Sequence, residues 1–146
     1  MIFSKSFGYA IRGILYIAVM KNEKQRVQLD EMAGKLNIPR HFLGKIMKRM
    51  AEEKIIASTK GPYGGFSLNN TTLQTPLISI IHLTDGLETF NSCVLRVRKC
   101  NSKNPCPLHF EIEKTKNELM TTFKKTTIAD LIQENKTAFI KSIATF

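Results

Sequence analysis

Three thiols and one imidazole lie close together in this chain: Cys93, Cys100, Cys106 and His109, with six, five and two residues between them. All three cysteines of the protein fall within 14 residues. Thiolates hold soft metals, and the neighbouring Arg96, Arg98, Lys99 and Lys103 lower thiol pKa and balance the negative charge of a thiolate-ligated centre. His109 follows Cys106 by three positions, so a helix starting near Pro107 can turn its ring towards the same centre. Three thiolates and an imidazole suit either zinc or an iron–sulfur centre. The spacing lacks the paired C-x2-C of structural zinc sites, which disfavours structural zinc. Clustered free cysteines can equally serve as a thiol sensor, oxidising to sulfenic acid or a disulfide. A histidine at a helix start can also be a cap or a surface residue.

The compartment expected for these thiols is a reducing one. No stretch reaches the roughly 18 apolar residues that a membrane span needs. The apolar run 11–20 is short and followed by Lys21-Asn22-Glu23-Lys24 rather than a signal-peptide cleavage site. The chain is therefore expected in the cytoplasm, without a membrane partner, where a structural disulfide is disfavoured.

A second group of residues has the chemistry of a polyanion ligand. The 22 Lys and Arg against 12 Asp and Glu give a net charge of +10. Residues 1–68 hold 12 of these cations against 5 acids, and residues 69–146 hold 10 against 7. A localised cationic surface releases counterions from nucleic acid on binding. Arg40, His41, Lys45, Lys48 and Arg49 are concentrated in one segment, and Lys60, Tyr63 and Gly64 in the next.

These groups need elements to position them. Helical periodicity predicts a first helix over residues 6–20, with Ile11, Leu15 and Ala18 on one face. A short helix over 29–36 carries Leu29, Met32, Ala33 and Leu36. After Asn37-Ile38-Pro39, a third helix over 39–53 is expected to bury Phe42, Leu43, Ile46, Met47 and Met50. Pro39 suits its first turn, where the missing N–H would have no partner in any case. Two short helices around a tight turn make a helix-turn-helix. The exposed side of the third helix then offers lysines to phosphates and arginines to base edges in a major groove. Residues 55–68 read as a β-hairpin, because β-branched residues lead into Gly61-Pro62 and Gly64-Gly65. A hairpin directly after a helix-turn-helix is a wing, with Lys60 placed to reach phosphate or a minor groove. Further helices are expected over 76–88, 107–125 and 127–133, the tail to Phe146 remaining unassigned. Leu108, Ile112, Thr115, Leu119 and Phe123 form a seam suited to helix-on-helix packing, within the chain or against a twin.

The expected fold class is thus mainly α with a small β-hairpin wing: a winged helix-turn-helix plus a long C-terminal dimerisation helix. Residues 1–75 form the DNA-binding region, 76–106 the connecting helix and cysteine loop, and 107–146 the dimerisation helix and tail, within one integrated domain. An enzyme is not expected. There is no Gly-rich phosphate loop, no carboxylate pair beside a histidine and no C-x2-C redox pair.

Residues 6–12 (Ser-Phe-Gly-Tyr-Ala-Ile-Arg), 40–46 (Arg-His-Phe-Leu-Gly-Lys-Ile) and 60–68 (Lys-Gly-Pro-Tyr-Gly-Gly-Phe-Ser-Leu) resemble the BadM/Rrf-type winged-helix regulators. That family includes the iron–sulfur cluster regulator and the nitric-oxide-sensitive repressor. The similarity spans about residues 1–133. It implies a transcription regulator that binds double-stranded DNA as a homodimer on a palindromic operator. It also implies Cys93, Cys100 and Cys106 as ligands of an iron–sulfur cluster, with one extra residue between the first two relative to the commoner spacing. His109 matches the fourth ligand of the iron–sulfur cluster regulator, which favours 2Fe–2S over 4Fe–4S. The carboxylate that nitric-oxide-sensing relatives use in its place corresponds to Gly8 here. Arg40 and Lys45, by contrast, are more similar to the nitric-oxide sensor. Lys60 stands where the family usually has arginine, keeping the charge but losing the planar bidentate fork. A cluster-free or zinc-bound regulator using its cysteines as a redox sensor is the alternative.

Overall fold

A computed structural model describes residues 3–133 and 137–143. Helix α1 (Lys5–Met20) starts at Ser4, whose hydroxyl accepts from Phe7 N–H, and buries Ala10, Ile14 and Ile17. Helix α2 (Leu29–Leu36) ends where Asn37 turns left-handed at φ 52° and donates to Ala33 and Gly34 carbonyls. Asparagine tolerates that conformation better than most residues, and Pro39 then starts α3 (Arg40–Glu52). The two helices form the expected helix-turn-helix against α1.

One part of the expected core is corrected. Leu43, Ile46, Met47 and Met50 are buried, whereas Phe42 is 49% exposed. The four buried residues follow the i, i+3, i+4, i+7 stripe. Phe42 lies about 100° round the helix from Leu43 and falls off it.

Strands β1 (Ala57–Thr59) and β2 (Gly65–Ser67) pair antiparallel in the register Ala57↔Ser67, Ser58↔Phe66 and Thr59↔Gly65. Val27 adds an isolated antiparallel bridge on the other side of β2, exchanging 2.9 and 2.8 Å hydrogen bonds with Phe66. The hairpin is thereby fixed to the segment that enters α2. Gly65 sits at φ 141°, a backbone conformation that few other residues adopt.

Beyond the wing, a 3-10 turn (Thr72–Gln74) leads to α4 (Leu77–Thr84). Helix α4 is shorter than expected because Gly86, at φ 76°, redirects the chain into a second 3-10 turn (Leu87–Phe90). Helix α5 (His109–Lys125) begins two residues later than the periodicity implied. A capping box between Thr127 and Asp130 starts α6 (Ile128–Leu131), and α7 (Thr137–Ile143) packs on α1. That last helix was not assignable from sequence. Residues of α1, the helix-turn-helix, α4 and α6 meet in one core, including Ile14, Met32, Leu36, Met47, Ile80 and Ile128.

Helix α5 packs on α4 and on the second 3-10 turn. Phe123 of the expected seam meets Phe3 edge-on at 5.1 Å and Phe7 at 6.0 Å, so this end of the seam faces the chain's own α1. Leu108 and Phe110 at the other end are exposed. The far end of α5 is tied back by backbone: Leu77 N–H donates to Thr126 O at 2.9 Å, and Ile128 N–H to Thr75 O at 3.0 Å. Among the described residues, no helix is long and apolar enough to cross a membrane.

Candidate functional site

On α3, His41, Lys45 and Lys48 are exposed on the side opposite the buried stripe. Arg40 is also exposed, but its guanidinium is ion-paired with Asp30 of α2. Arg49 lies on the flank, lining a groove with Glu53, Lys54 and residues of α4. Of the five basic or imidazole side chains expected to read DNA, three therefore share one face and two stand at its edges.

The wing places the other three. Lys60 is exposed, and Tyr63 is 89% exposed. Gly64 is buried, and a Cβ there would stand 2.1 Å from Thr59 O. Its N–H donates to Gly61 O at 3.0 Å, closing the tip. Two side chains brace the hairpin from outside: Arg26 Nε donates to Thr59 Oγ1 at 3.1 Å, and Gln28 Nε2 to Pro62 O at 3.0 Å. Hydrogen bonds thus tie the wing to the segment that enters the helix-turn-helix, and cations are exposed on both parts.

The cysteines sit apart from this surface, in the irregular segment 91–108 before α5. Cys100 Sγ is 3.1 Å from His109 Nδ1. Cys93, Cys100, Cys106 and His109 all line one cavity of about 320 Å³, whose wall also includes Glu113 and Lys116. His109 is the first residue of α5 and only 6% exposed, and its N–H donates to Cys106 O at 2.9 Å. Its Nε2 is buried with no hydrogen-bond partner among the described residues, 3.6 Å from Glu113 Oε2. A surface reading of this histidine does not explain a ring only 6% exposed, whose Nε2 makes no hydrogen bond among the described residues and has Glu113 as its nearest acid.

Cys93 has its own electrostatic setting. Leu95 N–H points at its sulfur, and those of Val97, Arg96 and Arg98 add to it; against the cost of desolvation they lower the thiol pKa. Successive N–H groups around a concavity favour an anion, and Arg96 at φ 52° bends the backbone into that shape. All three cysteines are free thiols. Among the described residues, no three Cys, His, Asp or Glu side chains converge tightly enough to hold a metal ion. The donor types fit a thiolate-and-imidazole centre. One sulfur and one ring nitrogen already face each other, and the other two thiols line the same cavity.

Sequence reasoning missed three features here. Glu113 was legible in principle, four residues after His109 on one helix face. The Arg40–Asp30 pair joins two helices, and the exposure of Phe42 required knowing the helix phase.

Comparison with known proteins identifies the family and the fold. The family model Rrf2, described as iron-dependent transcriptional regulator, matches residues 3–134. An HTH-type transcriptional regulator of Aquifex aeolicus is 37% identical over 134 residues, covering 90% of this chain and 92% of that one. Among solved structures, CymR, the global cysteine regulator of B. subtilis, superposes with a TM-score of 0.70 at 19% identity, over 88% of this chain and 94% of its own. T. potens IscR gives 0.68 at 16% identity, over 92% and 88%. The fold is the winged helix of these regulators, and the chain belongs to the Rrf2 family of transcriptional regulators.

Proposed function

We propose that the protein is a homodimeric DNA-binding regulator whose operator affinity is governed by an iron–sulfur cluster, 2Fe–2S by preference, held by Cys93, Cys100, Cys106 and His109. The observation that carries the cluster reading is the 3.1 Å approach of Cys100 Sγ to buried His109 Nδ1, in a cavity that the other two thiols also line. When bound, the cluster supplies a centre whose loss, oxidation or nitrosylation changes the charge and anchoring of the loop. The chain's own residues do the rest. His41, Lys45 and Lys48 face the major groove, with Arg40 and Arg49 at its margins. Lys60, Tyr63 and the close-packed backbone at Gly64 present the wing to phosphate, since a lysine acts there as a point charge. Helix α5 starts at the cysteine loop and ends hydrogen-bonded beside the segment that follows the wing, so a shift at its start has a continuous path to the reading surface.

A second reading is supported by Cys93. A thiol whose pKa is lowered by backbone N–H groups is the more reactive towards oxidants, and a cluster-free or zinc-bound regulator would use it directly.

Anaerobic purification followed by visible absorption, with iron and sulfide analysis, separates the two. The expected result is a coloured protein whose DNA affinity changes with Cys106→Ala. A colourless, iron-free protein whose DNA affinity ignores Cys106→Ala would overturn the cluster reading. Mass spectrometry after peroxide treatment and zinc analysis then test the thiol and zinc forms.

A further inference from the structure

The reading helix carries one large apolar side chain that the fold leaves uncovered. Phe42 lies on the first turn of α3, 49% exposed. Its ring rests against exposed His41, with centroids 4.1 Å apart and planes at 39°. Lys45 lies about one turn further along and Lys48 less than two, both exposed and with no ion pair among the described residues. A single exposed apolar residue on a protein surface is ordinary and needs no explanation by itself. This one occupies the N-terminal turn of the second helix of a helix-turn-helix, where side chains meet base edges. The lysines beside it bring a polyanion to that surface.

Major-groove chemistry limits what an aromatic hydrocarbon can recognise there. Adenine, guanine and cytosine present donors and acceptors, while thymine also presents a C5 methyl group. Resting on the DNA-binding dimer proposed above, we propose that Phe42, steadied by the His41 ring, reads thymine in each half-site through that methyl group. His41 narrows the ring positions open to Phe42, and Lys45 and Lys48 hold the helix in register on the phosphates. Phe42 thus supplies base selectivity on a face whose other exposed side chains are mostly cations.

The test uses the full chain, purified anaerobically, and duplexes that the wild type selects from a random-sequence pool. Each thymine is replaced in turn by deoxyuridine, which removes the methyl group alone, and affinity is read by fluorescence anisotropy at fixed salt. At one thymine per half-site, the replacement is expected to weaken wild-type binding about fourfold, the value of burying one methyl-sized group. Phe42→Ala should bind the thymine and deoxyuridine duplexes equally. Phe42→Leu, which keeps an apolar side chain, should retain part of the discrimination and stands in if the alanine variant folds poorly by thermal melting. Discrimination that persists undiminished in both variants overturns the proposal. So does a wild type indifferent to every replacement, or a Phe42→Ala protein weakened on all duplexes with its discrimination intact, which would place the ring on sugar, phosphate or a second subunit.

Discussion

The wing depends on the absence of one carbon atom, and Gly64→Ala puts it back. The added Cβ would stand 2.1 Å from Thr59 O and 2.9 Å from the carbonyl carbons of Thr59 and Lys60. A comfortable carbon–oxygen approach is about 3.3 Å, so the two arms of the hairpin must part by roughly 1 Å. All three neighbours are backbone, so no side chain can rotate away. Parting them strains the Thr59↔Gly65 rung, and overpacking of this kind costs about 1–3 kcal/mol. A domain of ordinary stability, about 5–15 kcal/mol, stays folded after such a loss, so DNA binding can still be measured. Urea unfolding followed by circular dichroism gives the stability, and anisotropy on a random-sequence duplex gives the affinity. Both should fall, because Lys60 and Tyr63 move with the displaced arm. Gly8→Ala is the control: nothing lies within 4 Å of its added carbon, and replacing a glycine inside α1 should stabilise by up to about 1 kcal/mol. A Gly64→Ala protein as stable and as tightly bound to DNA as wild type would refute this reasoning. So would a Gly8→Ala protein damaged to the same extent.

Three further outcomes follow from the same structure. Tyr16 donates to Glu31 Oε1 at 2.9 Å, and burial together with that carboxylate pushes its pKa up to about 12. Its raised folded-state value contributes stability that is complete below pH 10 and lost as pH climbs from there towards 12. Tyr16→Phe should cost roughly 1–2 kcal/mol at neutral pH and flatten that alkaline decline in urea titrations. Lys60→Ala should weaken binding to all duplexes alike and reduce the slope of log affinity against log salt by about one for each wing in contact. Asp30→Ala removes the partner of the Arg40 guanidinium. It should raise affinity for random-sequence DNA while costing at most about 1 kcal/mol in thermal unfolding, because both side chains are exposed.

The helix-turn-helix and wing were legible because their signals are local. Leu43, Ile46, Met47 and Met50 carry the helical stripe, Pro39 marks its start, and the glycines at 61, 64 and 65 punctuate the hairpin. The four candidate ligands were legible for the same reason, lying within 17 consecutive residues, 93–109. What sequence missed depends on distant partners or on rotation about a helix axis. Phe42 has the hydrophobicity of a core residue and the wrong phase. Helix α7 packs against α1, more than a hundred residues earlier in the chain, and its seven residues are too short a window for periodicity to decide. The pairing of Thr75 and Leu77 with Thr126 and Ile128 joins the ends of α4 and α5 by backbone alone. Side-chain patterning carries no trace of such a contact. His109 was singled out by spacing, but the burial of its Nε2 beside Glu113 emerges only once the helix packs.

The most direct test of the regulatory reading measures operator affinity in one anaerobic preparation before and after its iron is removed by chelation. The expected result is at least a tenfold change, with Cys106→Ala fixed at the stripped protein's value whatever the iron supply. Equal affinities in the loaded and stripped protein, with Cys106→Ala indistinguishable from either, would contradict it.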